Sequence, residues 1–440
     1  MNEIPSSMQL PASMADVDAK YLTRLLRARG LIGENNEVVT VTESGVGMTA
    51  GYFSDIKKMK VTFSEPTDCI DAFVVKAWPD LEIAPSETIS AMFVKDIRGY
   101  MFEATQFFPR PMVILADYDV ANNRFGLIME DVSVFAEQKV HESELTFDEV
   151  MQMVPGLVDA AVAWEGCHEG PLAQPLDELG IDLWGSENNL AGFRQIMPGC
   201  ALFWDKLSSM VDSSLIDTPW ADTLGVGNIN AMLTRKLDAF FAPTLPANGS
   251  TCTLVHGDLR GDNLFFCPVS KTYPSGWLTI DFQLLMRGPV PSDLAYLMGS
   301  GSVLPEVYKS PNRERILEAF YQQFIAKTSR YRDYSYTQFV DEFHRMSAVG
   351  PTYVIGFGAV IAQAAAFKNE QAARIELGSK PYTVDDLSPE ERRQRMWWEK
   401  YFRNIVENFR MMDLPGILAA LPDNEGPMGE WVQLPPHLQD

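Results

Sequence analysis

One short segment has residue types and spacing that suit phosphoryl transfer: LVHGDLRGDNLFF, residues 254–266. This chemistry needs a carboxylate within reach of the attacking hydroxyl and a separate oxygen ligand for Mg²⁺, and one tight loop can present both. Asp258 follows an apolar run and suits the first role, while Asn263, five positions later, suits the second. We interpret His256 as a hydrogen-bonded organiser of the loop rather than as a base.

A second carboxylate follows in WLTIDFQ, residues 277–283, where Asp281 ends an apolar run typical of a β-strand. That strand could pair as a hairpin with the short piece NLFFC, which would bring Asn263 and Asp281 together. An amide oxygen and a carboxylate are hard ligands of the kind that Mg²⁺ takes while it keeps water and phosphate oxygens. Either motif alone indicates little, but the two in this order predict a metal-dependent phosphotransfer site.

The elements that must position these residues form a β-rich first part and a mainly helical remainder. The pattern predicts a leading helix over 12–30, strands near 38–44, 52–63 and 72–78, a helix over 86–108, and strands near 112–117 and 125–129. Helical spacing resumes over 146–164. We therefore predict an N-terminal lobe over 1–131, a helical lobe over 132–421 and a weakly ordered, proline-rich tail over 422–440.

Composition and charge disfavour several classes of protein. The chain is 46% hydrophobic and 22% charged, as in soluble domains, and has no apolar run of the roughly 20 residues that span a membrane. Its net charge of −23 disfavours nucleic acids and anionic membranes as partners, since these need a basic surface. Five scattered cysteines indicate reduced thiols rather than disulfides or zinc. We expect a cytoplasmic protein with no obligate protein partner.

On the motifs around Asp258, Asn263 and Asp281, the chain resembles the aminoglycoside phosphotransferase and choline kinase-like superfamily, and within it the ecdysteroid kinase-like branch. The resemblance extends over most of the sequence. It implies an α+β, two-lobed protein-kinase-like fold, with an N-terminal antiparallel sheet, a larger and mainly helical C-terminal lobe, and ATP held between them. It also implies that Asp258 is the catalytic base and that Asn263 and Asp281 bind magnesium.

The resemblance assigns an ion pair to the nucleotide phosphates. Lys76, in AFVVKAW on the third predicted strand, would grip the α and β phosphates of ATP. Its partner would be Glu103, in the helical segment GYMFEATQFF. Taken alone, either residue could equally be an ordinary surface charge.

Two further segments match the family by their positions. GVGMTAG, with Gly45 and Gly47, lies between the first two predicted strands, where glycines let backbone amides approach phosphates, although a plain hairpin turn has the same composition. GLIMEDVS, with Met129, Glu130 and Val132, would connect the lobes and hydrogen-bond adenine through its backbone. The alternative for this segment is an ordinary strand end.

The segment GPVPSDLAYLM begins seven residues after Asp281. This leaves no room for the long regulatory segment of protein kinases, so we expect a small-molecule acceptor. Asp293, within it, resembles the family's structural aspartate, which caps a helix and braces the catalytic loop.

Together these features predict a kinase that uses ATP and Mg²⁺ to phosphorylate a small-molecule hydroxyl. The resemblance favours a small, partly apolar alcohol, such as a steroid, while the acidic chain suits a cationic acceptor, such as an aminoglycoside or choline. A catalytically silent kinase-fold protein that binds a nucleotide or acts as a scaffold is the alternative. The intact set of Lys76, Asp258, Asn263 and Asp281 argues against it.

Overall fold

A computed structural model describes residues 10–11, 13–44, 55–77, 87–102, 108–119, 124–139, 144–187, 189–190, 235–300, 302–348 and 413–423. The chain divides into two compact units. The first comprises Met1–Gln138, Asp177–Ile181 and Asn263–Leu285, and the second comprises Lys139–Leu176, Asp182–Asp262 and Met286–Asp440. The first segment of the first unit thus ends at Gln138 rather than at the predicted 131, and the unit includes two later segments that the sequence placed in the helical lobe.

A five-stranded antiparallel sheet forms the centre of the first unit. Its strands are β1 (Val38–Ser44), β2 (Asp55–Phe63), β3 (Ala72–Ala77), β4 (Val113–Asp119) and β5 (Arg124–Glu130), in the order β1-β2-β3-β5-β4. Helix α1 (Ala19–Ala28) precedes β1, and helix α2 (Glu87–Met101) lies between β3 and β4 along the chain. Apolar residues at alternate positions of β2 and β3 face one core, which Leu22, Leu25 and Leu26 of α1 complete.

A smaller sheet in the first unit contains the predicted hairpin. It orders β6 (Glu137–Gln138), β8 (Leu264–Phe266) and β9 (Trp277–Thr279) as β6-β8-β9, with antiparallel pairing throughout. In β8 and β9, Leu264 lies opposite Thr279. The hairpin between NLFFC and WLTI is therefore confirmed.

The second unit is mainly helical. Its elements are α3 (Phe147–Ala163), α4 (Ala173–Glu178), α5 (Leu237–Phe241), β7 (Thr253–Val255), β10 (Met286–Gly288), α6 (Ser292–Gly299), α7 (Pro305–Tyr308), α8 (Asn312–Lys327), α9 (Tyr336–Ser347) and α10 (Leu414–Ala419). The last two residues of α4 belong to the first unit. Strands β7 and β10 pair antiparallel, helix α8 packs on α3, and α6 packs on α9. The chain also forms 3₁₀ turns at Met14–Asp16, Val132–Val134, Gly170–Leu172, Ala242–Thr244, Pro246–Asn248 and Gly261–Asn263.

The predicted α+β class, with an antiparallel sheet in the first part and helices in the second, is confirmed. The leading helix begins at Ala19 rather than near 12, because the Asp18 carboxylate caps it by accepting from Tyr21 N at 2.7 Å. Helix α2 ends at Met101, short of the predicted 108. In the described ranges, none of the helices has both the length and the apolar character needed to cross a membrane.

Candidate active site

Lys76 lies on β3, where its ammonium group contacts two carboxylates of the first unit. Its Nζ is 2.6 Å from Asp96 Oδ2 and 3.4 Å from Asp281 Oδ1, and the lysine and Asp96 are both buried. Burial alone would lower the pKa of Lys76, but Asp281 and Asp96 outweigh that effect and hold the pKa above its ordinary value. Lys76 is therefore a fixed cation at neutral pH.

Asp96 also connects helix α2 to the backbone beside Asp281. Its Oδ1 accepts from Phe282 N at 2.8 Å, and one turn later the Tyr100 hydroxyl accepts from Asp281 N at 3.0 Å. Burial raises the pKa of Asp96, and the Lys76 ammonium opposes that shift. Asp96 and Tyr100 share one face of α2 because they are four positions apart, so one helix face holds two consecutive N–H groups.

Gly99 lets α2 approach this backbone closely. A Cβ atom at Gly99 would lie 2.3 Å from Phe282 Cβ, far inside van der Waals contact. Phe282 is fully buried and packs edge-on against Tyr100, with ring centroids 4.8 Å apart. The packing of α2 on residues 281–282 therefore depends on the absence of a side chain at 99.

Asp281 has an unusual backbone conformation. Its φ of 69° lies in the left-handed region, which residues other than glycine adopt rarely. Such conformations persist where surrounding contacts over-determine them, and the bonds from Tyr100 and Asp96 to residues 281 and 282 supply contacts of this kind. The carboxylate is one-quarter exposed and also accepts from Gln283 Nε2 at 3.2 Å.

The hairpin places Asn263 beside Asp281. Asn263 precedes β8, and its carbonyl accepts from Ile280 N at 3.0 Å, so it lies across from the residue before Asp281. Mg²⁺ commonly takes one or two protein oxygen ligands and completes its shell with phosphate oxygens and water, and these two side chains fit that requirement. No cluster of three or more His, Cys, Asp or Glu side chains able to hold a metal occurs within the described ranges.

The loop that carries Asp258 lies in the second unit and follows β7. Asp293, in the first turn of α6, accepts from His256 N at 2.9 Å and from Gly257 N at 3.1 Å. Asp293 thus braces this loop, as the resemblance implies. It does not cap α6, however, because the cap residue is Pro291 and no side chain caps that helix. Burial raises the pKa of Asp293 to about 7, although the two N–H groups act in the opposite direction.

Asp258 is buried and contacts two side chains of the second unit. Its Oδ1 accepts from the Tyr296 hydroxyl at 2.7 Å and lies 3.4 Å from Arg260 Nε. Its backbone N–H donates to His256 Nδ1 at 3.3 Å. His256 is itself fully buried, and this contact is the one expected of an organiser of the loop.

The segment predicted to contact adenine lies at the end of β5. The backbone N–H of Glu130 donates to Met112 O at 2.9 Å, and the Glu130 carboxylate accepts from the Tyr273 hydroxyl. Met129 and Val132 are buried. A role for this segment in binding adenine stays a prediction.

Gly45, Gly47 and Glu103 lie outside the described residues, so their predicted roles also stay predictions. Within the described part of the chain, Asp96 and Asp281 are carboxylates that pair with Lys76, and the sequence analysis did not assign Asp96. The sequence carried a signal for it, because Asp96 lies among Phe93, Ile97 and Tyr100 on the buried face of α2. Tyr296 was missed as well, although it follows Asp293 by one helical turn.

A protein-family model described as "Uncharacterized oxidoreductase dhs-27" matches residues 245–380. That family is ecdysteroid kinase-like, so over residues 245–380 the chain is similar to the branch that the sequence resembles. The match includes Asp258, Asn263, Asp281 and Asp293. No curated protein matches the chain.

Several solved structures are similar to this chain. They include an ethanolamine kinase from Plasmodium vivax (TM-score 0.47, 11% identity, covering 90% of this chain and 88% of that one). A spectinomycin phosphotransferase in complex with ADP and spectinomycin has a TM-score of 0.46 and 13% identity, and the match covers 90% of this chain and 99% of that one. A choline kinase from Streptococcus pneumoniae has a TM-score of 0.38 and 12% identity, with 87% and 98% covered.

Proposed function

We propose that this protein is a small-molecule kinase that uses ATP and Mg²⁺ to phosphorylate a hydroxyl group. The contact of Lys76 with Asp96 and Asp281 is the observation that carries the proposal. Asp281 lies 205 positions from Lys76 along the chain, and its backbone has the left-handed conformation. A buried lysine beside a carboxylate able to bind a metal suits the phosphates of a nucleotide. In this proposal Asp258, on its braced loop, supplies the carboxylate that the acceptor requires.

Each residue would have a distinct part in the reaction. Asp258 would orient the acceptor hydroxyl and take its proton as the oxygen attacks the γ-phosphorus in line. Lys76 would neutralise charge on the α and β phosphates and so favour the departure of ADP. Asn263 and Asp281 would hold Mg²⁺, which supplies further charge neutralisation when bound.

The acceptor is, in this proposal, a small, partly apolar alcohol, with an amino alcohol or aminoglycoside as the second choice. The likeness of residues 245–380 to an ecdysteroid kinase-like family supports the first class. The net charge of −23 supports the second. We further propose that the enzyme works in the cytoplasm without nucleic acid, membrane or obligate protein partner.

Mg²⁺-dependent release of ADP from ATP, measured across a library of alcohols, tests the proposal. Release that depends on one class of acceptor, and that Asp258→Asn abolishes, is the expected result. Asp159→Asn, on an exposed part of α3, is a matched control that should retain the activity. If wild type binds ATP but no acceptor raises its ADP release above that of Asp258→Asn, the chain is a silent kinase-fold protein and the proposal is wrong.

A further inference from the structure

Helix α6 contacts the Asp258 loop at two places, and only one of them is explained by the brace at Asp293. The second is the Tyr296 hydroxyl, which donates to Asp258 Oδ1 at 2.7 Å. Tyr296 is 97% buried, since its exposed fraction is 3%. Asp293 therefore holds the backbone before the base, and Tyr296 holds the carboxylate of the base itself.

We infer that Tyr296 is a positioning residue that fixes the orientation of the Asp258 carboxylate and keeps it ionised. The inference rests on the proposed function of Asp258. A hydroxyl that donates to a carboxylate stabilises the charged form and so lowers the proton affinity of the carboxylate. Burial raises that proton affinity. A general base must be ionised before the acceptor hydroxyl arrives, so a buried base requires a fixed donor of this kind.

Arg260, His256 and Asp293 also lie near Asp258 and contact it or its loop in other ways. Arg260 Nε is 3.4 Å from Asp258 Oδ1, but the same guanidinium is 3.4 Å from Asp262 Oδ2, so its charge is shared. His256 Nδ1 accepts the backbone N–H of Asp258, and Asp293 holds the backbone of residues 256 and 257. Tyr296 thus makes a shorter contact to Oδ1 than Arg260 does, and it brings no net charge.

A purely structural role for Tyr296 has different consequences. A buried tyrosine usually finds a partner for its hydroxyl, and the bond to Asp258 could serve stability alone. In that case the loss of the hydroxyl would lower the melting temperature and leave the proton affinity of Asp258 and the turnover rate unchanged.

Tyr296→Phe removes the hydroxyl and keeps the ring. The matched control is Tyr334→Phe, which removes a buried hydroxyl that also donates to a carboxylate, Glu342 on α9. We expect Tyr296→Phe to lower kcat about tenfold, as the loss of a hydrogen bond to a charged group does, with the KM for ATP within about twofold of wild type. The acidic limb of the kcat profile should move up by about one pH unit, while Tyr334→Phe should leave that limb in place.

The titration of the Asp258 carboxyl carbon by ¹³C NMR, assigned with Asp258→Asn, gives a readout that needs no turnover. A pKa of Asp258 that rises by about one unit in Tyr296→Phe supports the inference even if no acceptor is ever phosphorylated, in which case only the proposed function fails. An unchanged pKa, with kcat and profile like those of Tyr334→Phe, would overturn it.

A second substitution covers the case in which Tyr296→Phe does not fold. Incorporation of 3-fluorotyrosine at position 296 keeps the ring and the hydroxyl but makes the hydroxyl a stronger donor. The pKa of Asp258 should then fall below its wild-type value, since a stronger bond favours the carboxylate. No fall in that pKa would show that the hydroxyl does not tune the base.

Discussion

The two units hold their candidate site residues in parallel ways but with different chemistry. In the first unit, Asp96 of α2 accepts from the backbone beside Asp281, and Tyr100 on the next turn completes the contact. In the second unit, Asp293 of α6 accepts from the backbone before Asp258, and Tyr296 completes it. Each pair is an aspartate and a tyrosine one turn apart on a helix, set against a turn of the chain.

The difference lies in what the aspartate does besides bracing the backbone. Asp96 is also an ion-pair partner of Lys76, so its negative charge is needed to balance the buried ammonium group. Asp293 is held by two neutral N–H groups, and burial raises its pKa to about 7. The same arrangement therefore supports a fixed cation in one unit and a titratable brace in the other.

Asp258→Asn should have the largest effect in either unit. Loss of the proposed base should lower kcat by about 10² to 10⁴, the usual contribution of a general base. The dissociation constant for ATP should stay close to wild type, since this change removes no phosphate ligand. Isothermal titration with ATP and single-turnover kinetics measure the two quantities, and a parallel loss of both would assign Asp258 to nucleotide binding instead.

Asp96→Asn should break the charge pairing of the first unit. Removal of one partner of a buried ion pair should lower the free energy of unfolding by about 3 kcal/mol, because the Lys76 charge loses its closest counterion. Asp71→Asn, which removes an exposed partner of Lys60, should change it little. Urea denaturation compares them, and equal effects would mean that the buried pair adds no stability.

The titration of Asp293 should make the second unit lose stability as pH rises. Because its folded pKa is above its unfolded value, the unfolded chain releases this proton first, near pH 4, and the folded chain keeps it up to about pH 7. The unfolding free energy of wild type relative to Asp293→Asn should therefore fall between these values, by on the order of 1 kcal/mol per pH unit. A difference that rises with pH would contradict this sign.

Gly99→Ala should have the smallest effect. The added Cβ would meet Phe282 Cβ at 2.3 Å, and overpacking of this kind should lower the unfolding free energy by about 1 to 2 kcal/mol. It should also weaken Mg²⁺-dependent ATP binding, because Asp281 adjoins the displaced residue. Gly33→Ala, with open space around the position, is the control. Equal unfolding free energies of Gly99→Ala and Gly33→Ala would show that α2 can shift to accommodate the added Cβ without a loss of stability.

Several features of the fold and the site could be predicted because they depend on neighbouring residues. The strands of the 264–279 hairpin follow from two short apolar runs, LFF and WLT, on either side of a connection rich in proline, serine and glycine. The approach of Asn263 to the residue before Asp281 follows from that hairpin. The brace at Asp293 was predicted from the resemblance, whereas its supposed helix cap was wrong.

The sequence by itself therefore determined which residues are the candidates for the proposed chemistry and which short elements present them. Tertiary structure decided the partners: Asp96 for Lys76, Tyr100 for the Asp281 backbone, Tyr296 for Asp258, and the inclusion of residues 263–285 in the first unit. The physical reason is that periodicity along the chain identifies the buried face of a helix, but only packing determines which buried group a polar side chain on that face meets.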